Sequence, residues 1–254
     1  MTQSQYQHPS RSDRLRKRRS EEPAADATQY RSIVGALQYL THTRPDIAFA
    51  VGVLGRYGQD PAARHWSLCK RLLRYLQGTK GLGLRYGEKG DNRILGYSDA
   101  DWGGDTDDRK STSGFAFFVN GALVSSKSKK QQTVALSTAE AEYLALSMAV
   151  QEAIWLQSLL HELGVHKVKS SALIMQDNQS TVAIATNPEA YDRTKRIDIR
   201  HHFVRDCVDS GLIQLQYCPS KQMVADILTK PLTQVRFEEL RAKLGVCSNE
   251  SAHK

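Results

Sequence analysis

The sequence has few cysteines, and their spacing narrows the class of protein. Cys69, Cys207, Cys218 and Cys247 are scattered over 254 residues, and no two of them form a Cys-x-x-Cys pair. The spacing argues against a disulfide framework, and it gives no zinc-ligand pattern. Dispersed thiols of this kind are typical of a reducing compartment, so we expect an intracellular protein, cytoplasmic or nuclear.

The chain also lacks a long apolar run. No segment approaches the roughly 20 apolar residues that a membrane-spanning helix needs. The first residues, MTQSQYQHPSRSDRLRKRR, have no apolar segment after their charges, so they do not resemble a secretory signal. We therefore expect no membrane role.

The composition shows an excess of positive charge. Lysine and arginine number 35 against 27 acidic residues, which gives a formal net charge of +8. Basic side chains that neutralise phosphates release counterions, so a nucleic acid is a natural partner for such a chain. Charge alone does not separate a nucleic-acid-binding protein from other basic proteins.

The pattern of residues predicts four segments along the chain. Residues 1–27 are polar, basic and then acidic, which predicts a disordered basic tail. Residues 28–85 carry apolar residues at helical spacing, with Pro45 at the start of a second helix and Gly78 at the end of a third. Residues 93–232 are predicted to form a larger domain, and residues 233–254 a C-terminal helix and tail.

Residues 93–232 alternate between short apolar strands and helices. Three strands come first, and Asn120-Gly121 is a strong signal for a two-residue hairpin. QTVALS is predicted to extend the third strand or to form a further short one, and a helix follows from about 138 to 163. The rest alternates strands and helices, with a helix around 222–229. We therefore expect an α/β fold with a mixed sheet and helices on its faces.

Four acidic residues lie at the edges of short apolar runs in four separate segments. They are Asp99 in YSDADW, Glu142 in STAEAEY, Asp177 in MQDNQS and Asp226 in VADILTK. Carboxylates that converge on one point repel each other unless cations hold them. Hard divalent cations such as Mg²⁺ prefer oxygen ligands, and a pair of them can support phosphodiester hydrolysis.

The first two carboxylates have alternatives close by. Asp101 would face the same side of a strand as Asp99, and the spacing does not choose between them. Ser137 and Glu140 match a capping box at the start of the long helix. That motif gives Glu140 a structural role, whereas Glu142 has only a favourable interaction with the helix N-terminus as its structural explanation.

The last two carboxylates also have structural explanations. Asp177 precedes a helix and could cap it, although Asn178 could serve instead. Asp226 has Lys230 four residues later, which is typical of a surface ion pair. Each structural explanation is the commoner one for a single residue, so the hypothesis of a metal site rests on the four together.

Five longer motifs follow one another along the chain: YSDADWGGDTDDRKSTSGF, SSKSKKQQTVALSTAEAEYLAL, DNQSTVAIATNP, RTKRIDIRHHFVRD and ADILTKPL. In sequence and in order they resemble the ribonuclease H domain of copia-type retrotransposon Pol polyproteins. The chain resembles the C-terminal part of that family over most of residues 28–235. The earlier segment, YRSIVGALQYLTHTRPDIAFAV followed by HWSLCKRLLRYLQGT, resembles the thumb and connection region of the family's reverse transcriptase.

The resemblance implies a ribonuclease H-like five-stranded mixed sheet with helices on both faces, preceded by a small helical unit. It assigns Asp99, Glu142, Asp177 and Asp226 as catalytic residues and metal ligands, and so prefers Asp99 to Asp101. Two Mg²⁺ ions, with Mn²⁺ as an alternative, would lie between them, and the RNA strand of an RNA–DNA hybrid would be cleaved.

The chain lacks two features of related enzymes. Cellular ribonucleases H often carry a histidine shortly before the last aspartate, but YCPSKQMVAD has none, so slow product release is expected. The polymerase motif Tyr-x-Asp-Asp is absent, so the chain resembles a truncated Pol copy that would need a separate reverse transcriptase to make DNA.

Residues beside the expected site are candidates for contacts with the hybrid. Ser137, Thr138, Asn178 and Gln179 could donate or accept hydrogen bonds in the minor groove, where 2′-hydroxyl groups are displayed. Lys127, Lys129 and Lys130 could contact phosphates, chiefly on the DNA strand. Lysines on a solvated hairpin edge also discourage aggregation, and this explanation carries equal weight.

Two other function classes compete with hydrolysis. One is a catalytically inert or merely nucleic-acid-binding retroelement fragment. The other is a nuclease of the integrase or transposase type, in which the glutamate comes last of three acidic residues. Here Glu142 comes second, which favours the hybrid-cleaving class.

Overall fold

The computed structural model describes residues 15–87, 92–165, 171–187 and 198–248. The helices are α1 (Ala27–Leu40), α2 (Ala48–Gly55), α3 (Ala63–Gly78), α4 (Thr138–Glu162), α5 (Gln179–Thr186), α6 (Asp198–Asp209) and α7 (Gln234–Lys243). The strands are β1 (Leu82–Leu84), β2 (Ile94–Asp101), β3 (Thr112–Val119), β4 (Ala122–Lys130), β5 (Ala172–Gln176), β6 (Ile213–Tyr217) and β7 (Val246–Ser248). Short 3-10 helices cover Pro45–Ile47, Ser220–Gln222 and Val224–Leu228.

Five strands form a mixed sheet in the order β4-β3-β2-β5-β6. Strands β4, β3 and β2 pair antiparallel, whereas β2, β5 and β6 pair parallel. The turn between β3 and β4 has positive φ at both Asn120 (52°) and Gly121 (75°), as the hairpin signal predicts. The mixed sheet expected from the sequence is thus confirmed.

Helices cover both faces of this sheet. Helices α4, α5 and α6 share one core with Phe115, Phe117 and Ile174 of the strands. On the other face, α1, α2, α3 and α7 share a second core with the strand residues Ala116 and Phe118. The helical unit therefore packs directly on the sheet and does not form a separate core.

Three local predictions differ from the structure. Residues 131–137, which contain all of QTVALS, form a loop after β4 instead of a strand. The Gln131 side chain donates to the Ser113 hydroxyl and to the backbone oxygen of Ala141 in this loop. The segment expected to be a helix at 222–229 is largely the 3-10 helix Val224–Leu228. Strands β1 and β7 were not predicted, because each has three residues and finds its partner only in the folded chain.

Residues 15–26 belong to the segment that the sequence predicts to be disordered. In the structure they contact both the helical unit and the loop that follows β2. The backbone N–H of Lys17 donates to Asp107, which follows β2, at 3.0 Å. Arg18 pairs with Asp60 at 2.7 Å, just before α3. Acidic residues on the folded surface thus attract this basic segment.

A buried polar network joins the helical unit to α7. Arg44 donates to both carboxylate oxygens of Asp46, at 2.9 and 2.8 Å, and also bonds Thr79. The Tyr75 hydroxyl donates to Asp46, and Arg241 of α7 donates to that hydroxyl at 3.1 Å. The charges are therefore paired away from water, as buried charges must be.

Among the helices that the structure describes, none is long and apolar enough to cross a bilayer.

Candidate metal centre

Asp99 lies near the end of β2, the middle strand of the sheet, and only 1% of its surface is exposed. It is paired in register with Gly114 of β3. The Thr229 hydroxyl, itself fully buried, donates a hydrogen bond to its Oδ2. Burial, together with the negative charge of Asp226, raises the pKa of Asp99 to about 6. The protein therefore holds a carboxylate where a negative charge is costly unless a cation is near.

Glu142 enters the same region from α4, one turn after the helix begins, and is 7% exposed. Burial raises its pKa well above the usual range, and the charges of Asp99 and Asp177 add to this effect. Its Oε2 is buried and has no hydrogen-bond partner in the structure. A buried carboxylate oxygen without a donor is suited to bind a cation.

Asp177 follows the last residue of β5, in the strand next to β2. Ser220 donates a hydrogen bond to its Oδ2 at 2.7 Å. Asn178 caps α5 by accepting from the Thr181 N–H at 3.0 Å. The cap of this helix is thus Asn178, which leaves the Asp177 carboxylate directed to the site.

Asp226 lies in the 3-10 helix Val224–Leu228 and is 7% exposed. The Lys230 ammonium lies 2.8 Å from its Oδ1, and an Arg236 nitrogen lies 3.5 Å from its Oδ2. The same ammonium lies 3.4 Å from Oδ1 of Asp99. Burial by itself would lower the pKa of Lys230, but the charges of Asp99 and Asp226 outweigh it and raise that pKa.

Three of the four carboxylates meet at one point. One oxygen atom each of Asp99, Asp177 and Asp226 lies within 4.8 Å of the other two. Glu142 is outside this group, although its charge interacts with two members of it. Asp101 is also outside the group. The converging atoms are all carboxylate oxygens, which fit a hard divalent cation. Glu142 offers a further buried oxygen of the same kind, because its Oε2 has no hydrogen-bond partner.

Sequence reasoning missed three residues that build this centre. Thr229 and Ser220 orient Asp99 and Asp177, and no spacing in the sequence relates them to those carboxylates. Lys230 was interpreted only as a surface partner of Asp226, because a four-residue spacing signals a local pair and carries no information about Asp99. Its ammonium joins both carboxylates and is part of the site.

The residues predicted to contact nucleic acid lie in different surroundings. Ser137 and Thr138 are exposed at the start of α4, and Gln179 is exposed at the start of α5. Ser137 caps α4 by accepting from the Glu140 N–H, while Glu140 accepts from Leu136 N–H and not from Ser137 as the capping box predicts.

The three predicted lysines of β4 differ from one another. Lys127 and Lys129 are exposed and line a groove of about 450 Å³ between β4 and the helical unit. Lys130 instead pairs with Asp105 at 2.5 Å and Asp108 at 2.8 Å. Its charge is therefore already compensated within the protein.

Comparisons with known proteins place these features in a family. The chain is 42% identical over 222 residues both to the retrovirus-related Pol polyprotein from transposon RE2 of Arabidopsis thaliana and to that from transposon TNT 1-94 of Nicotiana tabacum. These matches cover 87% of this chain but only 15% and 16% of the two polyproteins. The chain thus spans about one sixth of the length of these relatives.

No protein-family profile matches the chain. Two further similarities were found, one to a curated protein and one to a solved structure. The chain is 56% identical over 128 residues to a protein named secreted RxLR effector protein 161 of Plasmopara viticola, which covers 50% of this chain and 90% of that protein. A foamy viral protease-reverse transcriptase solved in complex with an RNA/DNA hybrid aligns over 84% of this chain and 27% of its own, with 12% identity and a TM-score of 0.50.

The predicted fold, a five-stranded mixed sheet with helices on both faces, is confirmed. The sequence resemblance to retroelement polyproteins is confirmed by the matches to plant transposons. The chain belongs to the copia-type, retrovirus-related Pol polyproteins of transposons.

Proposed function

We propose that this chain is a ribonuclease H that hydrolyses the RNA strand of RNA–DNA hybrids with the help of Mg²⁺ or Mn²⁺. The observation that carries the proposal is the convergence of Asp99, Asp177 and Asp226, whose ligand atoms lie within 4.8 Å of one another. Membership of a Pol family supports it, because reverse transcription produces hybrids whose RNA strand must be removed.

The four carboxylates are the proposed metal ligands. When bound between them, divalent cations would stabilise the negative charge that develops on the phosphate during attack by water. Thr229 fixes the orientation of Asp99, and Ser220 fixes that of Asp177. Glu142 offers a buried oxygen that no donor in the protein satisfies. No protein nucleophile is needed in this scheme, so the carboxylates act by holding cations.

The proposed substrate is recognised on both strands. Ser137, Thr138 and Gln179 are exposed beside the first turns of α4 and α5 and can bond 2′-hydroxyl groups of the RNA. The Asn178 oxygen is used in capping α5, so only its amide nitrogen is available to the substrate. Lys127 and Lys129 are exposed and can contact phosphates of the DNA strand.

A reverse transcriptase is a proposed partner, because it makes the hybrids that the proposed activity would cleave. All four cysteines are free thiols, which agrees with an intracellular site of action, cytoplasmic or nuclear.

The test is cleavage of a hybrid whose RNA strand is labelled, with Mg²⁺, Mn²⁺ or EDTA. We expect cleavage with either metal, none with EDTA, and loss of cleavage in Asp99→Asn. Equal cleavage by Asp99→Asn and wild type would refute the assignment of this site. Hybrid binding of equal strength in Mg²⁺ and EDTA, without cleavage, would identify an inert nucleic-acid-binding fragment instead.

A further inference from the structure

Lys230 contacts two members of the carboxylate cluster, although its side chain is partly exposed. Its ammonium is 2.8 Å from Oδ1 of Asp226 and 3.4 Å from Oδ1 of Asp99. Asp226 precedes it by one helical turn, whereas Asp99 is 131 residues away in the sequence. The Lys230 ammonium therefore bridges two carboxylates that lie far apart in the sequence.

The need for such a cation follows from the burial of Asp99. Its side chain is 1% exposed, and a buried carboxylate without a counter-ion is strongly unfavourable. Among the ion pairs of the described residues, Asp99 pairs with Lys230, and Asp226 pairs with Lys230 and Arg236. Lys230 is thus the group that neutralises the centre of the cluster when no metal is bound.

Lys230 and Arg236 differ in how firmly they are held. Arg236 also donates to the backbone oxygens of Ser220 and Lys221, at 3.0 and 2.7 Å, so its position is fixed by the fold. Among the described contacts, the Lys230 ammonium bonds only the carboxylates of Asp99 and Asp226. Its side chain is 34% exposed, and its four-carbon stem is flexible. Its ammonium can leave the cluster without breaking any other contact.

We propose that Lys230 is a displaceable counter-ion, which holds Asp99 and Asp226 together in the metal-free protein and moves away when a divalent cation takes their oxygen atoms. This inference rests on the proposed function, because it assumes that a cation binds to these carboxylates. The ammonium and the cation compete for the same oxygens. Lys230 therefore stabilises the metal-free fold and weakens metal binding.

The first experiment compares Lys230→Met with wild type at pH 8.5. Lys243→Met is the matched control, because Lys243 forms an exposed pair with Glu239 at the same four-residue spacing and the same 2.8 Å distance. In EDTA, Lys230→Met should melt at a lower temperature than the control. Its Kd for Mg²⁺, measured by calorimetry, should be roughly tenfold lower than that of wild type, a size usual for coupled binding. Lys230→Arg, which keeps the charge, should lie closer to wild type.

A second measurement does not depend on the stability of a variant. In wild-type protein labelled with ¹⁵N-lysine, the Lys230 ammonium signal should shift as Mg²⁺ is added, while the Lys243 signal stays in place. A Lys230 signal that is unchanged at saturating Mg²⁺ overturns the inference, as does Mg²⁺ affinity in Lys230→Met that is equal to or weaker than in wild type. If wild type binds no Mg²⁺ at all, the proposed function fails together with the inference.

Discussion

Gly114 and Thr229 approach each other so closely that a Cβ atom on the glycine would lie 2.7 Å from Cγ2 of Thr229. Gly114 is the register partner of Asp99, and Thr229 donates to the Asp99 carboxylate. The absence of a side chain on β3 thus lets the segment that carries Asp226 dock beside the central strand. The geometry of the carboxylate cluster depends on this contact.

Gly114→Ala should therefore destabilise the protein and distort the site. The added methyl must displace Thr229 or the backbone near Leu228, and overpacking of this kind costs about 1–3 kcal/mol. Urea unfolding in EDTA measures the loss. Gly83→Ala is the control, because it is also a strand glycine but has open space around its Cβ position. Equal stability of the two variants would contradict the proposed contact.

The ionisation of Asp99 should by itself lower the stability of the metal-free protein as pH rises from about 4 to about 6. Folding raises the pKa of Asp99 from 3.8 to about 6, so between these values the folded state holds a proton that the unfolded state has lost. Stability is then lost as pH rises through this window and levels off above it, by about 3 kcal/mol for a shift of this size.

The difference between Asp99→Asn and wild type isolates this effect from other titrating groups. In EDTA, the variant should gain stability relative to wild type as pH rises from 4 to 6, because the amide cannot ionise. Urea unfolding at several pH values measures both proteins. A variant that is less stable than wild type at pH 8 would show that the Asp99 charge is not costly in the folded state.

Mg²⁺ should stabilise the wild-type protein at pH 8, because only the folded chain gathers the carboxylates. Binding at a hundred times Kd stabilises a fold by about 2.7 kcal/mol. Glu142→Gln should reduce this gain, since the unpartnered Oε2 is a proposed ligand. The measurement is the melting temperature as a function of Mg²⁺ concentration. Glu152→Gln is the control, because Glu152 lies on the same helix and bonds Ser125 instead. An equal rise of the melting temperature with Mg²⁺ in both variants would show that Glu142 is not a metal ligand.

Hybrid binding should depend on salt through Lys127 and Lys129. Each lost phosphate contact lowers the slope of log K against log salt by about 0.9, so the double variant to glutamine should lose nearly two. Lys130→Gln should change the slope less, because Lys130 already pairs with Asp105 and Asp108. The slope is measured with Asp99→Asn as background to prevent cleavage. Identical slopes for all variants would show that Lys127 and Lys129 do not contact the phosphates of the DNA strand.

Asp46→Asn should destabilise the whole fold by about 3–5 kcal/mol, because it leaves the buried Arg44 without its counter-ion. Tyr75→Phe removes a hydrogen bond to a charged group and should cost about 1.5–3 kcal/mol. Unfolding followed by both fluorescence and circular dichroism should give a single coincident transition, since the helical unit shares a core with the sheet. Separate transitions would show that the helical unit unfolds independently.

Local features were predictable because they depend on neighbours in the sequence. The apolar periodicity of α4, the hairpin at Asn120 and Gly121, and the order of strands and helices follow from backbone geometry over a few residues. Gly164, with φ of +70°, ends α4 for the same local reason. The motifs that carry the four carboxylates also lie in short segments, so the family resemblance could be recognised from them.

Only the tertiary structure decided which of these carboxylates meet and what surrounds them. Asp99 and Thr229 are 130 residues apart, and the contact between them exists because the sheet, α7 and the helical unit bury a common core. The pairing of β1 with β7 and the reach of Lys230 to Asp99 have the same origin. Such contacts carry no periodic signal, because they depend on how the whole chain packs and not on the spacing of residues along it.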